Sequence, residues 1–260
     1  MRQLGLEVAV VSFADGPLAR SLERAGIPVE VLGLRSRADP RGASRLWRLL
    51  RSRRPDVLHS HGPGAMVIAN PLGRLAGVPA VVTTFHHMAG GGRAVTNQPL
   101  HAIYYRLEGL VGRIATDACV AYAEATREDA IRVRGVPAER VVAIHNGIDL
   151  ARFGPLAPAA RGAARAEWRA RLGIGADALV VGAIGRLLPA KGHEHLVRAL
   201  PAIRAERPEA VLVVVGDGPL AGRLREIGDR LGLGDALVLP GALRASPDLY
   251  ACFDVFVYPS

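Results

Sequence analysis

Two cysteines in 260 residues supply neither a disulfide framework nor a thiolate metal cage. Cys119 and Cys252 sit in apolar runs far apart, and read as buried thiols of a reducing compartment. Aromatic residues number only twelve, and none alternates with basic residues to form a platform for stacking bases. Nucleic acid is therefore not the expected partner, although the formal net charge is +9. No uninterrupted apolar run approaches the roughly 18 residues of a membrane span. Met1-Arg2-Gln3-Leu4-Gly5 carries no signal-peptide core, so a cytoplasmic location is expected. A Gly-x-Ser-x-Gly elbow is absent, and so is a Walker loop, because here Lys191 precedes Gly192. The pairs His59/His61, His86/His87 and His193/His195 lack zincin spacing, and no metal site is expected.

What the chain does have is a 50% hydrophobic content, enough for a sizeable core. Short β-rich runs alternate with amphipathic helical patterns. The strands read as Glu7–Phe13, Val29–Leu32, Val57–Ser60, Ala80–Thr84, Ala118–Ala121, Val141–Ile144, Leu179–Ile184, Val211–Val215, Ala236–Leu239 and Val255–Tyr258. Helical patterns cover Pro17–Ala25, Ala43–Arg53, Glu124–Arg132, His195–Arg204 and Pro219–Leu231. This alternation predicts an α/β fold with parallel sheets and right-handed crossovers. It breaks once, between Phe153 and Asp177, where Pro155, Pro158 and an Ala/Arg-rich stretch suggest a linker with a short helix around Ala163–Leu172. The expected organisation is two doubly wound units, 1–152 and 177–260, joined by 153–176. Both read as incomplete. No strand and glycine loop precede the first strand, and the second unit holds four strands where about five or six are usual.

The most informative stretch is Gly185-Arg186-Leu187-Leu188-Pro189-Ala190-Lys191-Gly192. It leaves the carboxyl end of a buried strand and runs into a helix, where open α/β sheets bind ligands and a helix N-terminus favours an anion. Two cations there suggest a diphosphate. Gly216-Asp217-Gly218-Pro219 follows the next strand and, with Gly222, forms a relaxed dinucleotide fingerprint. The acidic residue such a fingerprint needs is missing, because the following strand ends in Pro240-Gly241. The turn could still hold a nucleotide's phosphate or ribose through backbone N–H groups. His59, His61 and His86 each lie at or just past a strand's carboxyl end, on the ligand side. Asn146-Gly147 reads as a tight turn. The segment Ala43–Arg53 sets Leu46, Trp47, Leu49 and Leu50 against four arginines; it reads first as a crossover helix and second as one that lies in a membrane interface.

Taken together, these pieces resemble the family 4 glycosyltransferases, which have the GT-B fold. The resemblance runs in order through Val81–His86 (VVTTFH), Ala115–Glu124 (ATDACVAYAE), Asn146-Gly147-Ile148-Asp149, Gly185-Arg186 with Lys191-Gly192, Val214–Pro219 (VVGDGP) and Phe253–Ser260 (FDVFVYPS). It implies two Rossmann-like domains, with a nucleotide-sugar donor held mostly by the C-terminal one, retention of anomeric configuration and no obligatory metal or other cofactor. Arg186 and Lys191 match the pair that binds the donor diphosphate, and His86 matches the histidine near the transferred sugar. Gly185, Gly216 and Asp217 fall near the donor nucleotide, and Asn146 near the interdomain hinge. The acceptor would be a lipid, a glycan or a small molecule, chosen partly by 87–100 with Gly90-Gly91-Gly92. Peripheral contact with the inner membrane face is the accompanying expectation.

Two departures qualify the likeness. The family's Glu-x7-Glu motif, which follows such a Pro-Ser, and its first strand with a glycine-rich loop are both absent from these residues. As a minor difference, Ala123-Glu124 stands where the family usually has a serine after the strand. A fragment with impaired or no transfer activity is therefore expected. The alternatives are a GT-B nucleotide-sugar epimerase and a non-catalytic fragment that binds a nucleotide or a partner.

Overall fold

The computed structural model describes residues 5–34, 39–86, 88 and 99–259. The chain divides into two compact units, Met1–Asn146 and Gly147–Ser260. The first carries strands β1 (Val10–Ser12), β2 (Val29–Val31), β3 (Val57–His61), β4 (Ala80–Phe85), β5 (Ala118–Ala121) and β6 (Val141–Ala143). Its helices are α1 (Pro17–Arg24), α2 (Pro40–Arg53), α3 (Pro63–Ala76), α4 (Pro99–Ile114) and α5 (Glu124–Arg132). β1 pairs with β2, and β3-β4-β5-β6 form a second sheet; every pairing is parallel. Parallel strands joined through helices are what the alternation in the sequence predicts.

The second unit begins with α6 (Leu150–Phe153) and α7 (Pro158–Arg171). Then come β7 (Leu179–Ile184), α8 (His193–Glu206), β8 (Ala210–Val215), α9 (Ala221–Arg230), β9 (Leu237–Gly241), α10 (Pro247–Ala251) and β10 (Val255–Phe256). The parallel sheet has the order β10-β7-β8-β9. β7 and β8 are continuous apolar runs because both of their faces are covered. Val181, Ala183, Leu212 and Val214 pack with Val197 and Leu200 of α8 and with Leu224 and Ile227 of α9. The alternate residues Val180, Val213 and Val215 pack with Leu249, Cys252 and Phe253 on the other face.

Residues 153–176, expected as a linker, belong instead to the second unit. α7 packs against α10, and Trp168, Leu172 and Ile174 join the core beneath the sheet. Arg169 is buried and donates to Asp254 Oδ2 at 2.7 Å and to the Ala176 carbonyl at 2.5 Å. Asp254 also accepts from Val180 N–H at 2.8 Å, and these partners hold its carboxyl below the ordinary range against the opposing effect of burial. The short helix expected around Ala163–Leu172 is the longer α7, whose apolar stripe and buried arginine are both used.

Buried polar groups set the register of the first unit. Asn70 of α3 donates to Thr83 of β4 and to Thr116, each at 2.8 Å, and Ser60 of β3 also bonds Thr83. Arg134 is wholly buried between Glu108 of α4 and Asp129 of α5 and donates to both carboxylates. Its guanidinium lies 4.6 Å from the ring centroid of Phe85, the last residue of β4.

Candidate functional site

The second unit builds the Gly185–Gly192 stretch as two short turns pressed against the loop after β8. Gly185 N–H donates to Val215, Leu187 N–H to Asp217, and Leu220 N–H back to Leu187, at 2.9 to 3.1 Å. This approach requires glycine. A Cβ at Gly216, where φ is +150°, would collide with the Gly185 carbonyl. One at Gly218, where φ is +155°, would lie 2.6 Å from the Leu187 carbonyl oxygen. Pro189–Lys191 makes a 3-10 turn that ends at Gly192, the N-cap residue of α8. No side chain caps α8, so its leading N–H groups and its positive dipole end are directed into the loop.

Arg186 is exposed and makes no ion pair among the described residues. Lys191 is the chain's only lysine; all its other cationic side chains except the histidines are arginine. Its Nζ donates to Tyr258 Oη at 2.6 Å and lies 4.9 Å from that ring's centroid. The Pro259 backbone rests on Gly192, where a Cβ would come within 2.8 Å of the Pro259 oxygen. Asp217 Oδ1 accepts from Gly218 N–H at 2.7 Å, which fixes its carboxylate to the turn. The structure thus brings together Gly185, Arg186, Lys191, Gly216 and Asp217, all of which were expected near a donor.

Two residues the sequence reading did not assign belong to this constellation. Tyr258 is the hydroxyl partner of Lys191. His193 is the first residue of α8 and is 1% exposed, with its Nε2 3.5 Å from where a Gly185 Cβ would stand. Burial lowers its pKa; the nearby Arg186 backbone opposes this, and the Lys191 charge lowers it further. The loop therefore rests on a neutral imidazole that adds no third cation. A buried histidine directly after a lysine–glycine turn is the signal that could have found it.

In the first unit the carboxyl ends of β3 and β4 bring three histidines together. His61 Nδ1 and His86 Nε2 share a proton at 2.9 Å, and their rings stack with centroids 5.3 Å apart. His59 stacks on His61 at 4.3 Å and bonds Thr84 Oγ1 at 2.8 Å. Burial, and then the neighbouring imidazoles, lower the pKa of both His59 and His61. His59 and His61 are therefore biased toward their neutral forms near pH 7. Among the described residues no group of three or more His, Cys, Asp or Glu side chains is placed to hold a metal ion. Asn146 is exposed and is the last residue of the first unit; Asp149 just beyond it caps α6 by accepting from Ala151 and Arg152 N–H. Of the segment 87–100 expected to select an acceptor, residues 87 and 89–98, with Gly90, Gly91 and Gly92, lie outside the described residues.

Comparison with known proteins now bears on this geometry. Residues 1–152 match the family model described as Glycosyltransferase Family 4, and residues 164–260 match Glycosyl transferases group 1. The chain belongs to glycosyltransferase family 4. A curated relative from Escherichia coli, UDP-Gal:alpha-D-GlcNAc-diphosphoundecaprenol alpha-1,3-galactosyltransferase, is 28% identical over 83% of this chain and 54% of its own length. A GDP-mannose-dependent alpha-(1-6)-phosphatidylinositol monomannoside mannosyltransferase from Mycolicibacterium smegmatis is 31% identical over 85% of this chain and 55% of its own. The chain thus spans about half the length of the curated relatives it matches. Anabaena HepE, solved in complex with UDP and glucose, superposes with a TM-score of 0.78 at 24% identity, over 96% of this chain and 66% of that one. This family member has the GT-B class of fold, each unit carrying parallel α/β sheets.

Proposed function

We propose that this family 4 member takes part in moving a sugar, with retention of configuration, from a nucleoside-diphosphate donor to an acceptor hydroxyl. One observation carries the reading: Arg186 and Lys191 stand in the glycine-shaped loop at the carboxyl end of β7, ahead of the uncapped N-terminus of α8. As the bond from sugar to phosphate breaks, negative charge grows on the departing diphosphate. Arg186, Lys191 and the leading N–H groups of α8 would stabilise that charge, the work a divalent cation does in other enzymes. Gly185, Gly216 and Asp217 would hold the nucleotide, and Asn146 would lie near it. His86, held by its hydrogen bond to His61, would orient the transferred sugar and the acceptor hydroxyl.

The relatives lend support. HepE is solved with UDP, and the Escherichia coli and Mycolicibacterium enzymes are named for lipid-linked acceptors. A membrane-borne acceptor reached from the inner membrane face is the corresponding proposal here, with no part for nucleic acid.

Product analysis with UDP-sugars and GDP-sugars tests the function. We expect the nucleoside diphosphate to appear in step with an α-linked product, and only when an acceptor is supplied. An epimerised sugar formed from donor alone would replace transfer with epimerisation. Nucleotide binding with no turnover under any acceptor would make the chain a binding module.

A further inference from the structure

Among the described side chains, His193 is the one buried histidine. Neither of its ring nitrogens has a hydrogen-bond partner among the described residues. A buried polar group left unpaired costs free energy, so its presence calls for an explanation. The edge of the ring is turned toward Gly185, the first residue of the cationic loop. Its Nε2 and Cε1 are the atoms a Cβ at Gly185 would meet, at 3.5 and 3.7 Å. The Arg186 backbone lies beside it, close enough to favour a charged ring.

The other groups around the ring keep it neutral. Burial penalises the imidazolium, and the Lys191 charge adds to the penalty. The ring also stands at the N-terminus of α8, a 14-residue helix that no side chain caps and whose dipole is positive at that end. Arg186 brings a further cation to the same loop. The neighbouring acids are engaged elsewhere. Glu194, next to it on α8, pairs with Arg198, and Asp217 of the loop after β8 accepts from Gly218 N–H. Tyr258, which follows β10, bonds Lys191. A diphosphate seated at this helix end would reverse the sign of the local field and favour the imidazolium.

We propose that His193 is a positioning residue: it binds a proton when a nucleoside diphosphate enters the Gly185–Gly192 loop, and the imidazolium then donates to the Arg186 carbonyl and fixes the backbone that carries the guanidinium. The inference rests on the donor reading and deepens it. The proton comes from solvent, and none passes to the sugar or the acceptor. A departing diphosphate carries one more negative charge than the same group esterified to a sugar. The stabilisation therefore grows as the bond to the sugar breaks, and proton uptake is larger with UDP than with a UDP-sugar. Because the bound state has the higher pKa, the gain in UDP affinity is fully present at low pH. It is lost as pH rises through the His193 pKa of the complex.

Calorimetry with UDP, in buffers of different ionisation enthalpy, counts the protons bound. Near pH 7 the wild type is expected to take up about half a proton more per UDP than His193→Gln. The difference between the two proteins cancels protons exchanged by UDP itself and by other groups. Between pH 6 and pH 8 the affinity of the wild type should fall about fivefold relative to that of His193→Gln. His193→Met, which removes both nitrogens, should share the pH profile of His193→Gln, whatever the melting temperatures of the two variants. His195→Gln, an exposed change on the same helix, should behave as the wild type. In the wild type alone, the ring resonances of His193 should titrate at higher pH with UDP than without it. Equal proton counts and parallel pH profiles in proteins that all bind UDP would overturn the proposal and leave the donor reading standing. A His193 titration that UDP does not move would do the same. No UDP binding by the folded wild type would overturn the donor reading and this proposal with it.

Discussion

Arg134→Ala is expected to destabilise the first unit by about 3–5 kcal/mol, the cost of leaving buried carboxylates without their cation. Both sides of the Arg134–Glu108 pair are fully buried, and Asp129 is nearly so. Removing the guanidinium also strips the cation from the face of Phe85, and Gly109 already brings α4 hard against the Arg134 backbone. Thermal melting should show a loss of about 10 °C or more in the transition of this unit. The triple change Arg134→Met, Glu108→Gln, Asp129→Asn should recover much of it, because no net charge then remains buried. A melting temperature within a degree or so of wild type for Arg134→Ala would show that water reaches the carboxylates. The consequence reaches the site, since Phe85 directly precedes His86 and the Arg134 network holds the end of β4 that presents the histidine.

Arg186→Ala and Lys191→Ala are each expected to lower turnover about a hundredfold or more, as when a preorganised donor to a developing anion is lost. The physical reason is that both residues stand in the loop leading from β7 to the uncapped N-terminus of α8, where a diphosphate would meet cations and free N–H groups. Kinetics on a chain competent for transfer should show the loss chiefly in kcat/KM, with part of it in kcat, because charge on the leaving group is greatest in the transition state. Tyr258→Phe, which removes only the hydroxyl partner of Lys191, should have a much smaller effect. Unchanged kcat and KM in Arg186→Ala and Lys191→Ala would remove both residues from the mechanism.

Much of the fold is legible in the residues. The ten strands among the described residues all overlap the runs read as strands, and β7 and β8 are the plainest because a strand covered on both faces is apolar throughout. α3 and α4 are not legible by the same logic. Pro71 and Gly73 interrupt α3, and Gly109 and Gly112 interrupt α4, in the manner of loop residues. The structure shows tertiary reasons for the glycines: a Cβ at Gly109 would collide with the Arg134 carbonyl, and one at Gly112 would press on Val136. Arginine misleads in both units. Arg134 and Arg169 read as surface charge in an arginine-rich chain, yet each is buried and anchors a carboxylate. In α2 the amphipathic pattern is plain, but a pattern cannot say whether its apolar side meets a sheet or a lipid.

The candidate site divides along the same line. Gly185, Arg186, Lys191, Gly216 and Asp217 are legible because a loop at a strand's carboxyl end has a fixed chemistry. The close approach of the two loops explains why the glycines occupy those positions. His193 and Tyr258 are not legible, because a buried histidine at a helix start and a tyrosine 67 residues from its lysine gain meaning only when the chain folds. The pairing of His61 with His86, across neighbouring parallel strands, likewise depends on the register His61 opposite Thr84.

The central claim is that the loop ending in Lys191 holds the diphosphate of a sugar donor, and the presence of a single lysine makes it directly measurable. Acylation of Lys191 can be followed by peptide mass spectrometry with and without saturating UDP. UDP is expected to slow the modification about tenfold or more, because a phosphate held at Nζ shields the amine and keeps it protonated. Uridine, which lacks the phosphates, should leave the rate unchanged. An acylation rate indifferent to UDP, under conditions where UDP binding is confirmed by calorimetry, would contradict the account.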